Sequence, residues 1–311
     1  MDRLDRKLVL VTRRTRLDEL VARFNSVDQA RFYVEHLGAD FADYEREHSR
    51  YHAVIRQAEE TLALHSRVQR LDRAFLPNFI FPPDAPVVVV GQDGLVANTL
   101  KYLDGQPVIG VNPDPERWDG VLLPFQAENL MDAVERVYAQ RYTPRTVTMA
   151  RVRLSDGQEL LAVNDFFIGA KSHVSARYSI ELGAARERHS SSGIIVSTGL
   201  GSSGWFRSVL TGAIGISGGS GRADVKALRE RGFDWDADHL YFSVREPFPS
   251  RQSQTDVVFG KVSGEQPLKV VSEMAEGGVI FSDGIESDFL SFTSGMEAIV
   301  DVAQRRGLLV S

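Results

Sequence analysis

A carboxylate stands between two glycines at the end of an apolar run. Val87–Val90 lead into Gly91, Gln92, Asp93 and Gly94, and helix-patterned residues follow to Leu103. Glycine lets a backbone pass close to a phosphate. A helix starting there adds partial positive charge, which favours an anion. Open α/β sheets hold their ligands beyond the carboxyl ends of strands, which is where this turn falls. Asp93 would repel a bare phosphate. It makes sense as a proton acceptor for an oxygen nucleophile, or as a partner for a magnesium ion bridging phosphates. From spacing alone, a turn in which Asp93 caps the next helix fits equally well.

Three other stretches carry polar groups where the pattern is otherwise apolar or glycine-rich. In Ala162–Gly169, "AVNDFFIG", Asn164 and Asp165 interrupt a strand pattern. Buried without partners they would cost roughly 1–3 kcal/mol each, so the fold or a ligand must satisfy them. In Ser197–Phe206, "STGLGSSGWF", Gly199, Gly201 and Gly204 spell G-x-G-x-x-G. No acidic residue ends a following strand about 20 positions on, so the dinucleotide fingerprint is incomplete. A flexible, hydroxyl-rich loop that hydrogen-bonds a polar ligand is the expectation. In Ser243–Gln254, Arg245 and Arg251 flank a Pro-rich turn and could clamp phosphates, although surface arginines are common. His48 and His52 sit four apart on a polar helical pattern. With no third ligand near in sequence, a solvated helix face is the reading and no metal ligand is assigned.

The elements that must position these groups follow two patterns. "KLVLVT" (Lys7–Thr12), Val87–Val90 and "PVIGV" (Pro107–Val111) read as buried strands separated by helical stretches, which implies an α/β layer with a parallel sheet. Thr15 with Asp18 and Ser26 with Gln29 have the spacing of helix starts, and Gly38 suits a helix end. From Phe41 to about Leu71 the pattern is polar and helical. Beyond Pro124 one helix is expected, Ala127–Gln140, and then short alternating segments with frequent turns. The fold expected is a Rossmann-like α/β layer followed by a mostly antiparallel β-sandwich, with the C-terminal segment returning toward the first domain. The boundaries expected are 1–124 with about 293–311, and 125–292. Gly215–Asp224, rich in Gly and Ser, is expected to be a mobile loop.

Composition narrows the partners. The chain has 311 residues, 43% of them hydrophobic, and carries a net charge of −6. No basic face for nucleic acid or an anionic membrane is implied. The chain contains no cysteine, so disulfides and thiolate zinc sites are excluded. Residues 1–11, "MDRLDRKLVLV", carry acids and lack a long apolar stretch, and no run approaches the length of a membrane span. A cytoplasmic protein is the expectation.

Taken in order, these stretches resemble the NAD kinase family, most closely its mitochondrial-type branch, from about Val87 to Gln304. The family's Gly-Gly-Asp-Gly-Thr motif looks like Gly91-Gln92-Asp93-Gly94-Leu95. "PVIGVNPDPER" (Pro107–Arg117) is similar to the segment that follows it. The family's Asn-Glu pair falls on Asn164-Asp165, and its G-D-G-L-I-V-S-T-P-T-G-S-T-A-Y segment on Ser191–Trp205. "SVREP" and Phe281–Gly284, "FSDG", continue the match. The resemblance implies transfer of a phosphoryl group from ATP, or from polyphosphate, to the 2′-hydroxyl of the adenosine ribose of NAD, with Mg2+ on the nucleotide. It makes Asp93 the acceptor of the hydroxyl proton and places Gly91, Gln92 and Gly94 at the nucleotide. Asn164 and Asp165 would contact the NAD adenosine, and Ser203, Gly204 and Ser208 would lie around the same dinucleotide. A homodimer or homotetramer is implied. Gln92 stands where the family has glycine, Leu95 where it has threonine, and Asp165 is one methylene shorter than the family's glutamate. Two other expectations stand beside that of an NAD kinase. One, a dinucleotide-binding sensor with weak or no transfer, follows from Gln92 and Leu95. The other is a small-molecule kinase of the phosphofructokinase and lipid-kinase group, which shares the Gly-Asp-Gly turn.

Overall fold

The computed structural model describes residues 6–219 and 222–311 and divides into two compact units. One holds the described residues up to Arg145 together with Gly307–Ser311, and the other is Thr146–Arg306.

The first unit runs β1 (Lys7–Thr12), α1 (Arg16–Phe24), α2 (Val27–His36), α3 (Phe41–Ala63), β2 (Arg67–Asp72), β3 (Val87–Val90), α4 (Asp93–Leu100), β4 (Pro107–Val111) and α5 (Leu130–Tyr138). Its strands lie in the order β2-β1-β3-β4, all parallel, with Val9 opposite Val87 and Val88 opposite Ile109. Val87–Val90 are fully buried, as a β-branched strand covered on both faces should be. The capping box at Thr15 forms with Asp18, Ser26 caps α2, and Gly38 just past that helix has φ +76°. In α3 the residues Tyr51, Ile55, Ala58 and Leu62 recur at helical spacing and pack with Leu8, Leu10, Val88 and Val90.

Two expectations need correction in this unit. The helix from Phe41 ends at Ala63 rather than near Leu71, because Arg67–Asp72 leaves to pair with β1. That edge strand keeps most of its side chains in solvent, so its charged sequence carries no apolar alternation to read. The unit also extends to Arg145, whereas 124 was the boundary expected, since Leu130, Ala133, Val134 and Val137 of α5 pack into the same core.

The second unit continues with β5 (Pro144–Leu154), β6 (Glu159–Ala162), β7 (Asp165–Ala170), β8 (Ala176–Leu182), β9 (Ala185–Ser191), β10 (Ile194–Ser197), α6 (Trp205–Ile216), α7 (Ala223–Arg231), β11 (His239–Val244), β12 (Phe259–Ser263), β13 (Leu268–Ser272), β14 (Gly278–Ser282), β15 (Ile285–Ser291) and β16 (Glu297–Val310). One antiparallel sheet has the order β12-β11-β10-β7-β14-β15. A second antiparallel set joins the first part of β16 to β13, β8 and β9. Phe166, Ile168, Val196 and Phe242 of the first set share a core with Tyr178, Ile180, Leu268 and Val300 of the second. This is a β-sandwich, as expected. The end of β16 belongs to the first unit, where Leu308 and Leu309 pair in parallel with Pro107 and Val108.

The stretch Gly215–Asp224, expected as a mobile loop, overlaps the end of α6 and the start of α7. Gly215 and Ile216 finish α6 and Ala223 opens α7, while Ser220 and Gly221 lie outside the described residues. Glycines within "WFRSVLTGAIGI" mask a helix that packs Phe206, Leu210 and Ile214 inward.

Candidate functional site

In the first unit the turn after β3 ends in an uncapped helix. Gln92 is the N-cap of α4 and its side chain makes no capping bond. The N–H groups of Gln92, Asp93 and Gly94 find no acceptor among the described residues, which leaves donors and the helix dipole open to an anion. Neither Gly91 nor Gly94 adopts positive φ, so left-handed backbone is not what selects glycine here. A Cβ on Gly94 would meet nothing within 4 Å. Glycine in a first helical turn with open space above it costs about 0.5–1 kcal/mol relative to alanine and fills no packing need. Gly91 makes room for Leu95, since a Cβ there would sit 2.8 Å from Leu95 Cδ2.

Asp93 does not cap the helix. Its Oδ1 accepts from Leu122 N–H at 2.7 Å, and its Oδ2 has no partner among the described residues. The carboxylate is half-buried. What delivers Leu122 is a close backbone crossing: a Cβ on Gly110 of β4 would collide with the Leu122 carbonyl oxygen. Phe125 N–H then bonds Gly110 O at 3.2 Å, and Asn112 N–H bonds Phe125 O at 2.8 Å. Asn112 braces the inside of this loop, donating to Trp118 O at 2.8 Å and accepting from Asp114 N–H at 3.0 Å.

Helix α3, to which the sequence assigned no task, supports this turn. Tyr51 Oη donates to Val90 O at 2.9 Å and accepts from Arg13 N–H at 2.8 Å, and burial pushes its hydroxyl up to about 12. Arg117 of the loop makes two bonds to Asp43, at 3.0 and 2.9 Å, and Arg16 adds a third at 2.8 Å. Hydrogen bonds from Arg16 and then Arg117 hold the Asp43 carboxyl down at about 2. Arg50 pairs with Asp114 and Glu116, each at 2.9 Å.

The second unit gathers most of the other assigned residues around one cavity of about 290 Å³. Asn164, Asp165, Ser203 and Gly204 line it, with Trp205 and Asp283. Ser208 does not; it lies exposed on α6, 3.5 Å from Gly204 O. The "STGLGSSGWF" stretch is not a flexible loop. Thr198 Oγ1 donates to Val163 O at 2.6 Å, Ser202 Oγ donates to Gly199 O at 2.6 Å, and both side chains are buried. Cβ atoms on Gly199 and Gly201 would collide with the carbonyl oxygens of Asp234 and Asn164, so these glycines serve close backbone packing. The adjacent strand β10 is antiparallel to its neighbours, and no βαβ unit surrounds the three glycines.

Asp283 is the residue that sequence reasoning missed. Its Oδ1 accepts from the N–H groups of Val163 (3.0 Å), Asn164 (2.6 Å) and Asp165 (3.4 Å). The side chains of Asn164 and Asp165 themselves have no hydrogen-bond partner among the described residues. Burial, and then the Asp283 carboxylate, raises the Asp165 carboxyl to about 7. The signal was the Asp283-Gly284 pair between two strand patterns: both residues have positive φ, as a two-residue hairpin requires. Arg245 and Arg251 are not a clamp. Arg245 lies over the Trp205 ring and lines a separate 520 Å³ cavity with Phe167 and Phe281, while Arg251 lines another with Arg186.

No helix among the described residues is long and apolar enough to cross a membrane. No protein-family model matches the chain. A curated NAD kinase of Chlorobium luteolum is 32% identical over 127 residues, which is 39% of this chain and 43% of that protein. Among solved structures, an NAD kinase from Archaeoglobus fulgidus in complex with ATP superposes with a TM-score of 0.57 at 17% identity, covering 98% of this chain and 93% of that one. Yeast NADH kinase complexed with NADH gives 0.56 at 14% identity, covering 99% and 84%. The chain has the fold of the NAD kinases and resembles that family in sequence over the matched stretch.

Proposed function

We propose that this chain is an NAD kinase. The γ-phosphoryl group of ATP passes to the 2′-hydroxyl of the adenosine ribose of NAD. A bond forms between that oxygen and the γ-phosphorus, the bond to the β,γ-bridging oxygen breaks, and ADP and NADP leave. The observation that carries this reading is the Asp93 carboxylate, with one oxygen fixed by Leu122 N–H and the other open. An oxygen so held can accept the hydroxyl proton while its partner keeps the group from rotating. The free N–H groups at the start of α4 suit phosphate oxygens. Positioning and charge neutralisation would supply most of the rate. Among the described residues the one group of three carboxylate or imidazole ligands close enough to hold an ion by themselves is Asp18, His48 and His52. A magnesium ion for the transfer would therefore arrive with the nucleotide, ligated by phosphate oxygens and water. Asn164 and Asp165, their side chains free of protein partners, would take the adenosine of NAD in a cytoplasmic homodimer or homotetramer.

The test is incubation with NAD, ATP and Mg2+ and an enzymatic readout of NADP. Product from the wild type, absent with Asp93→Asn although NAD still binds, is the expected result. One observation favours a second reading, a sensor that binds the dinucleotide without transferring phosphate. Leu95 is buried against Gly91 where the family has a hydroxyl. NAD binding without NADP formation, with turnover appearing in Gln92→Gly/Leu95→Thr, would establish it.

A further inference from the structure

The histidine pair that the sequence left as a solvated helix face meets a carboxylate in three dimensions. His48 and His52 lie one turn apart on α3 with ring centroids 4.3 Å apart. Asp18, thirty positions upstream on α1, faces both: His52 Nε2 is 3.1 Å from its Oδ2 and His48 Nδ1 is 3.5 Å from its Oδ1. The three residues present ligand atoms that all lie within 4.8 Å of one another. We propose that Asp18, His48 and His52 form a binding site for a divalent transition-metal ion of the zinc type, which clamps α1 to α3.

The chemistry of the donor set is two imidazoles and one carboxylate, a combination that suits zinc and leaves a fourth position for water. Bonds of about 2.0–2.1 Å in a tetrahedral site put ligand atoms roughly 3.4 Å apart. The 3.5 Å from His48 Nδ1 to Asp18 Oδ1 already fits, and side-chain rotation within the 4.8 Å cluster would turn His52 Nε2 from Oδ2 to the same ion. The carboxylate is oriented from behind. Thr15 N–H and Thr15 Oγ1 both bond Asp18 Oδ2, at 2.8 and 2.9 Å, which leaves Oδ1 as the metal ligand. The Thr15 hydroxyl proton is thereby used on Asp18. Where Thr15 Oγ1 also contacts His48 Nδ1, at 3.0 Å, the imidazole must supply the proton, and a metal ion would replace it. Two cationic neighbours are already committed: Arg13 and Arg16 pair with Glu47, and Arg16 with Asp43. All three ligands keep about a quarter to a third of their side-chain surface in solvent, so an ion has an entry path.

The consequence is mechanical. Helix α3 bears Tyr51 and Asp43, which brace Val90 and Arg117 around the Asp93 turn. An ion holding α1 to α3 would stiffen that brace without touching the reacting groups, whatever reaction they perform.

The experiment uses the full chain stripped with EDTA and titrated with Zn2+ alone at pH 7.5, read by calorimetry and by thermal unfolding. One ion per chain and a raised unfolding temperature are expected, with affinity reduced at least about a hundredfold in His48→Asn/His52→Asn. Co2+ in place of Zn2+ should give visible absorption bands of a tetrahedral site, lost in that variant. Because the variant could misfold, the wild type carries a second measurement. Of the seven histidines, the imidazole proton resonances of two, His48 and His52, should move on Zn2+ addition and return when EDTA removes the ion. No bound ion, binding unchanged in the folded variant, or shifts at other histidines instead would overturn the proposal.

Discussion

The turn at Asp93 and the cavity at Asp165 each present an aspartate, and the two stand in different surroundings. Asp93 sits half-buried at a helix start, with one oxygen on a backbone N–H and no carboxylate beside it among its partners. Asp165 is buried, its backbone N–H is shared with two others on Asp283, and its carboxyl is raised to about 7. A carboxylate meant to take a proton from a hydroxyl needs an open oxygen and a nearby cationic ligand. A carboxyl meant to recognise a sugar or base can be neutral and donate. On the proposed function the same side chain would serve two chemistries, with burial deciding which.

The largest expected effect separates the two regions. Asp93→Asn keeps an oxygen for Leu122 N–H but loses the proton acceptor, so NADP formation should fall by roughly 10²–10⁴-fold with NAD affinity unchanged. An equal loss in NAD affinity, measured by calorimetry, would erase the distinction. Next comes Asp283→Ala, which strands three neighbouring N–H groups and places alanine at positive φ. Urea unfolding should show a loss of about 3 kcal/mol. Asp283→Asn, which keeps an acceptor and tolerates that backbone, should recover most of it.

The third sharpens the contrast through pH. The Asp165 carboxyl titrates near 7 when folded and near 3.8 when unfolded. Between those values the folded chain binds the extra proton, so this group's contribution to stability falls as pH rises from about 4 to about 7. Asp165→Asn should remove that slope from a series of urea midpoints. Asp43 works in the opposite sense. Held down at about 2, it contributes stability above its unfolded value of 3.8 that is lost as pH falls from about 4 to about 2. The smallest effect is at Gly94. Alanine there should stabilise α4 by about 0.5–1 kcal/mol, because its Cβ meets nothing, while weakening ATP use if phosphate lies against that backbone. Unchanged kinetics with raised stability would show that no ligand needs the space.

Patterns set by local spacing were legible in the chain itself. Val87–Val90 declared a strand covered on both faces, Thr15 with Asp18 a capped helix, and the turns beyond Pro124 an antiparallel sandwich. Each rests on interactions within a few residues, or on burial that a run of side chains records directly. Position 93 stood out because a carboxylate between glycines after a buried strand suits either a proton acceptor or a helix cap. The spacing did not choose between them; the fold shows that Asp93 bonds Leu122 N–H and does not cap α4. Folding alone decided what crosses long stretches of chain. Leu122 reaches Asp93 because Gly110 lets one backbone lie on another. Asp283 gathers Val163, Asn164 and Asp165 from more than a hundred residues away. Asp18 meets His48 and His52 only once α1 packs on α3. Such contacts leave no periodic trace, since the free energy that selects them comes from packing the two segments together rather than from either sequence.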